Sequence, residues 1–243
     1  MSAGASSILR QLHSVAVERA RRDSSPDLAA RVNALKAYQQ KRFARTYADL
    51  LATSRYGPAA RFFLEELYGP RDFTERDAQF VRVVPALVRL FPHDIVATVD
   101  TLAELHALSE MLDSETASHL ASSDVDAFAY TLAWQATGRA ESRERQIALT
   151  IAVGESLDRL TRNAFVRNTL RLMRGPAQAA GLGELQRFLE TGFDTFKAMH
   201  GAHAFLSTVG QRERELARSL FAASTDSADG ARHLGDIALG QLP

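Results

Sequence analysis

Between Tyr68 and Asp77 the chain sets a phenol, two guanidinium groups and, besides Glu75, two carboxylates within ten residues: Tyr68, Arg71, Asp72, Arg76 and Asp77, with Phe73 among them. A set of this kind lining a cleft could move protons as general acid and base. Helix capping and salt bridging account for the same residues without a substrate. Thr74 with Asp77 three residues on reads as an N-cap with an acidic partner near a helix start. The aromatic residues just upstream, Phe62 and Phe63, extend the segment. If partly exposed together with Tyr68 and Phe73, they would form an apolar interaction patch.

The seven histidines are the second place to look, because helical bundles hold metals and haem between helices. A di-iron centre of the bundle type needs Glu-x-x-His pairs, and none is present. His200 and His203, in Met-His-Gly-Ala-His, stand at i, i+3 on one predicted helix face, a spacing compatible with one metal or a haem pocket but lacking a third ligand placed by sequence. They are weak metal candidates, and no cofactor is identified. Arg167, Arg171 and Arg174 form a basic stripe at helical spacing. Phosphate contact is one use for such a stripe; salt bridges to an acidic helix face carrying Asp100, Glu104 and Glu110 are the simpler one. Nucleotide loops, the Gly-x-Ser-x-Gly elbow and the His-Glu-x-x-His motif are absent.

The elements that would position these groups are helices throughout. Ile8, Leu12 and Val15 mark a first amphipathic helix. The Arg-, Ser- and Ala-rich first 22 residues also share a composition with mitochondrial transit peptides, a reading the helical spacing makes unnecessary. Ser25 and Pro26 start a long second helix that Tyr56, Gly57 and Pro58 end. A short helix over Ala59 to Tyr68 stops at Gly69 and Pro70, and another runs from Thr74 to Phe91 with a kink at Pro85. The next covers about His93 to Leu112. A polar connector, Asp113 to Ser123, leads to a helix capped by Ser123 or Asp124, carrying Trp134 and ended by Gly138. A long helix then runs past Met173, a small-residue loop spans Ala177 to Gly183, and a last helix covers roughly Glu184 to Phe221. Gly192, Gly201 and Gly210 in that last helix each cost up to ~1 kcal/mol relative to alanine, which close helix approach or a bound flat ligand would offset. No period-two alternation suggests a strand.

The expected fold is therefore all-α: a multi-helix bundle of seven to eight helices in one domain over residues 1–222, with a flexible tail over 223–243. Hydrophobic residues at 46% can fill a substantial core, and 29 basic against 29 acidic residues give no global field toward nucleic acid. No run is long and apolar enough for a membrane span, and the absence of cysteine fits a reducing, cytoplasmic setting. The composition is compatible with a homo-oligomer.

The segment Phe-Phe-Leu-Glu-Glu-Leu-Tyr-Gly-Pro-Arg-Asp-Phe-Thr-Glu-Arg-Asp resembles an uncharacterised group of bacterial, chiefly proteobacterial, all-helical proteins, in which a similar segment precedes a proline-containing helix. Met199, Phe205, Leu206, Arg212, Glu213, Leu216 and Phe221 look like the end of the same group. The resemblance implies one helical domain in a bacterial cytoplasm and transfers no activity. From the residues alone, the leading expectation is a non-enzymatic protein that binds a protein partner or an apolar small molecule through Phe62, Phe63, Tyr68, Arg71, Asp72, Phe73 and Arg76. The alternative is an acid–base or cofactor-dependent enzyme using the Tyr68 to Asp77 loop or His200 and His203.

Overall fold

Residues 93 to 118 hold the molecule together, because almost every third or fourth side chain there is small enough for another helix to approach. In the computed structural model, which describes residues 3–67, 73–223 and 242–243, this stretch is one unbroken helix, α6 (His93–Ser118). Around it stand α1 (Ala3–Asp23), α2 (Pro26–Thr46), α7 (Ala127–Thr137) and α8 (Ala140–Leu160), all packed directly against it. A second group consists of α3 (Ala48–Leu51), α4 (Gly57–Phe62), a π-helical turn at Phe63–Leu67, α5 (Thr74–Leu90), α9 (Ala164–Ala179), α10 (Gly183–Ala198) and α11 (His203–Ala222). Helix α11 lies against α8 and α7, while α10 joins α9, α4 and α5. The described residues contain no strand.

The described residues form eleven α-helices rather than seven or eight, because three expected long helices are divided. The second helix ends at Thr46, and Tyr47, whose hydroxyl reaches Glu213, separates it from the single turn α3. The helix after Gly138 stops at Leu160, and Asn163 starts α9 by accepting a hydrogen bond from the Phe165 amide. The last helix breaks at His200 and Gly201, which take φ of 52° and 113°. Left-handed backbone of this kind cannot continue a right-handed helix.

Two polar stretches go the other way. Asp113 to Ser118 extends α6 instead of forming a connector, since Asp113, Ser114 and Thr116 are buried and bonded to neighbouring helices. Helix α9 continues through Gly175 and Pro176 to Ala179, so the expected loop is shorter, and α5 passes through Pro85 to Leu90. Asp126, not Asp124 or Ser123, caps α7, and Gly138 ends it at φ 62°. Gly192 is explained by close approach: a Cβ there would meet the Phe62 ring at 3.0 Å.

Three apolar clusters result. One joins α2, α7 and α11 around Leu35, Tyr130 and Leu220 and includes Leu242; a second joins Phe43, Tyr47, Phe63, Phe196 and Phe205; a third sits between α1, α5 and α6 around Ile8, Val84 and Ala103. Most of the expected tail, 224–241, lies outside the described residues. No described helix is long and apolar enough to cross a membrane.

Candidate functional site

Four helices carry a seam of residues, buried except for the half-buried Glu213, spaced alternately four and three apart, the pattern of helices packing nearly side by side. In α2 it runs Leu28, Val32, Leu35, Gln39, Arg42, Thr46, and in α6 Ala103, Ala107, Glu110, Ser114, Ala117. In α8 it is Arg143, Ile147, Thr150, Gly154; in α11 it is Leu206, Val209, Glu213, Leu216, Leu220. Each seam begins or runs as an ordinary core stripe and at some point substitutes a charge. Arg42, Glu110, Arg143 and Glu213 then face a common interior cavity of about 140 Å³. Apolar walls are provided by Ile147, Val209 and Leu216, and Tyr130 and Trp134 of α7 complete this side. The lining extends to α5 and α10, where Phe73, Arg76, Asp77 and Phe188 take part.

The charges form three networks. Arg22 donates to the Glu110 carboxylate through Nη1, to the Glu110 carbonyl at 2.7 Å and to Ser114 Oγ at 2.8 Å. Lys36 Nζ lies 2.7 Å from Glu110 and 3.8 Å from Asp113, and Gln39 donates to Asp113 at 3.2 Å. Burial pushes the Glu110 carboxyl up, but the Lys36 and Arg22 charges outweigh it and hold Glu110 at about 2. Asp113, one turn further along α6, is pushed up by its burial, with Lys36 opposing and Glu110 reinforcing the shift. Two carboxyl groups flanking one ammonium are thus driven in opposite directions, which is how a protein separates an acid from a base.

In the second network Asp77 receives Arg19 at 2.6 Å and Arg76 at 3.3 Å, and His106 Nε2 lies 2.7 Å away. Burial raises the Asp77 carboxyl, but the His106 hydrogen bond and the Arg76 and Arg19 charges bring it down to about 2. The third network joins Arg42 to Glu213, which also accepts from the Tyr47 hydroxyl at 2.7 Å. Arg143 donates to Thr116 Oγ1 at 2.8 Å while its guanidinium covers the Trp134 ring at 4.0 Å.

Of the residues singled out from sequence, Phe73 and Arg76 line this cavity, with the Arg76 guanidinium 4.0 Å from the Phe73 ring and 4.7 Å from that of Phe188. Phe62 and Phe63 are 5% and 3% exposed, so they are core and present no surface patch. Tyr68, Arg71 and Asp72 lie outside the described residues. Asp77 does not act as a cap partner; its side chain turns inward to Arg19 and His106. His200 sits in the α10–α11 turn and His203 at the start of α11, both exposed and not on a shared helix. The described residues hold no group of three or more His, Cys, Asp or Glu suited to a metal. The basic stripe also has a different partner from the one expected: Arg174 pairs with Glu190 of α10 at 2.9 Å, Glu104 takes Arg145, and Glu110 takes Arg22 and Lys36.

Glu110, Asp113, Lys36 and Arg143 are site residues that sequence periodicity alone assigns to solvent-facing or connecting positions. The signal that finds them is register: Gln39 and Arg42 continue the spacing of Leu28, Val32 and Leu35, as Glu110 continues that of Ala103 and Ala107.

Comparison with curated proteins and with solved structures yields no match. A family model does match, over residues 18–227, that of a domain of unknown function (DUF8198), a span reaching from the end of α1 past α11 and taking in all four polar seams. By that coverage the chain belongs to the DUF8198 family.

Proposed function

We propose that this is a binding protein for a small molecule, partly apolar and partly polar, held in the cavity between α2, α6, α7, α8 and α11. The reading also places it in the cytoplasm of a bacterium, consistent with a cysteine-free chain. One observation carries it: charged side chains occupy seam positions where leucine would close the core, and a cavity of about 140 Å³ lies between them. Burying charges in a bundle sacrifices stability relative to well-packed apolar residues, by about 1–4 kcal/mol for a pair or triad. A concave, mixed apolar and polar interior with a few convergent polar groups is the usual form of a ligand site.

Native mass spectrometry of freshly purified protein, compared with the denatured chain, tests the proposal together with the variant Ala217→Leu, which narrows the cavity from α11. Wild-type protein should retain a non-covalent mass, and the variant should lose it while remaining folded. A bare mass in both, followed by no thermal stabilisation of the wild type across a panel of compounds of benzene size, would overturn it.

A second reading, acid–base catalysis by Asp113, is supported by the opposed shifts of Asp113 and Glu110 around Lys36. Carbon-13 NMR of the Asp113 carboxyl should find it titrating above the ordinary carboxylate range. Titration at or below that range removes the catalytic reading.

A further inference from the structure

We infer that the cavity takes a small monocarboxylate with a compact apolar body, its carboxylate received by the Tyr130 hydroxyl, Trp134 Nε1–H and Arg42 Nε–H. The inference rests on the ligand-binding reading and specifies the chemical class of the guest. Tyr130 is 0% exposed, Arg42 4% and Trp134 8%, and all three line the cavity. Their Oη, Nε and Nε1 atoms are buried and find no hydrogen-bond partner among the described residues. Two of the three can only donate, and the phenol can donate as well as accept. Buried donors are nearly always satisfied, so three unmet ones in the lining of one cavity call for an acceptor within it. A carboxylate offers two oxygens with about four acceptor sites, enough for all three.

Placement supports the same class. Tyr130 and Trp134 stand one helical turn apart on α7, their ring centroids separated by 5.8 Å. Arg42 is held by Glu213 through Nη1, while its Nε makes no hydrogen bond among the described residues. The Arg143 guanidinium closes over the Trp134 face. Burial raises the Tyr130 hydroxyl above its ordinary range, keeping it a phenol able to donate, with Arg42 and Arg143 opposing that shift and Glu213 and Asp113 adding to it. The charges acting on Tyr130 are Arg42 and Arg143 against Glu213 and Asp113, so both guanidinium groups are at hand for an anion bound beside the phenol. The size limit follows from the volume: a cavity of about 140 Å³ is close to the ~150 Å³ that admits benzene. Ile147, Val209 and Leu216 supply the surface against which a ring or short branched chain would rest.

Trp134 is the only tryptophan, so its fluorescence reports on this site alone. The experiment titrates the full chain near neutral pH with benzoate, benzene and inorganic phosphate, following Trp134 emission and the melting temperature. Benzoate should bind saturably and raise the melting temperature. Tyr130→Phe, which removes a hydroxyl without a partner among the described residues, should fold at least as well as the wild type, bind benzoate about tenfold more weakly or worse, and bind benzene equally well. If benzene binds and benzoate does not, or if phosphate binds in preference to benzoate, the carboxylate assignment falls and the ligand-binding reading stands. If neither benzene nor benzoate perturbs Trp134, both fall. Equal benzoate affinity in Tyr130→Phe and wild type overturns the role given to the phenol and with it the proposed mode.

Discussion

Replacing Glu110 by glutamine keeps the shape of the side chain and removes a carboxylate that is 4% exposed and bonded to both Arg22 and Lys36. Near neutral pH the variant leaves two cations facing a neutral amide in the interior, a loss of about 3–5 kcal/mol by comparison with other broken buried pairs. The pH dependence isolates the cause. Glu110 is held at about 2 against an ordinary value of 4.5, a displacement worth about 3 kcal/mol of folding free energy. Because the folded value is the lower one, this stabilisation is complete above about pH 5 and drains away as the pH falls toward about 2. By about pH 3 roughly 2 kcal/mol of it is gone in the wild type, and the variant has none to lose. Urea unfolding followed by circular dichroism at several pH values therefore should show the two stability curves converging in acid by about that amount. Curves that stay parallel from about pH 7 to pH 3 would mean that Glu110 is not an ionised partner of Arg22 and Lys36, and the account of the buried network would be wrong.

Phe63→Ala should lower stability by about 3–5 kcal/mol, because the ring packs against Phe62, Phe196 and Phe205 in the second apolar cluster. An unchanged melting temperature would return Phe63 to the surface. Asp126→Ala removes the side-chain acceptor of the Ala129 amide at the start of α7 and should cost about 1 kcal/mol. Hydrogen exchange should then speed up in the first turn of α7, and uniform protection there would argue that the cap contributes nothing.

How far the sequence reveals the molecule depends on whether neighbours or distant residues decide each feature. The all-α class, the start at Pro26 and the stop at Gly138 depend on local chemistry, proline's fixed φ and glycine's access to the left-handed region, and they are readable directly. The division at Asn163 was readable in principle from a side chain able to cap, yet the apolar spacing on either side masked it. The extension of α6 through Asp113, Ser114 and Thr116 was not locally readable at all. Those residues favour a loop until Gln39, Arg22 and Arg143 arrive from 27 to 92 positions away in the chain to bond them. The site divides the same way: Phe73 and Arg76 stand out because aromatics and charges crowd together locally, whereas Glu110 reads as part of an acidic helix face, Asp113 as the start of a connector, and Lys36 gives no local signal.

The charged rungs in the four seams have a consequence for how the bundle chooses its own alignment. Stripes of leucine and alanine alone can slide past one another by a heptad with little loss, since every step presents a similar surface. Here a slip of seven residues would bring Leu35 to the level of Glu213 and carry Arg42 away from it, and the same displacement of α6 would part Glu110 from Arg22. Each misalignment strands buried charge at a cost of several kcal/mol, comparable with the whole stability of a typical domain. The residues that hold the cavity open also leave the helices a single register in which to meet.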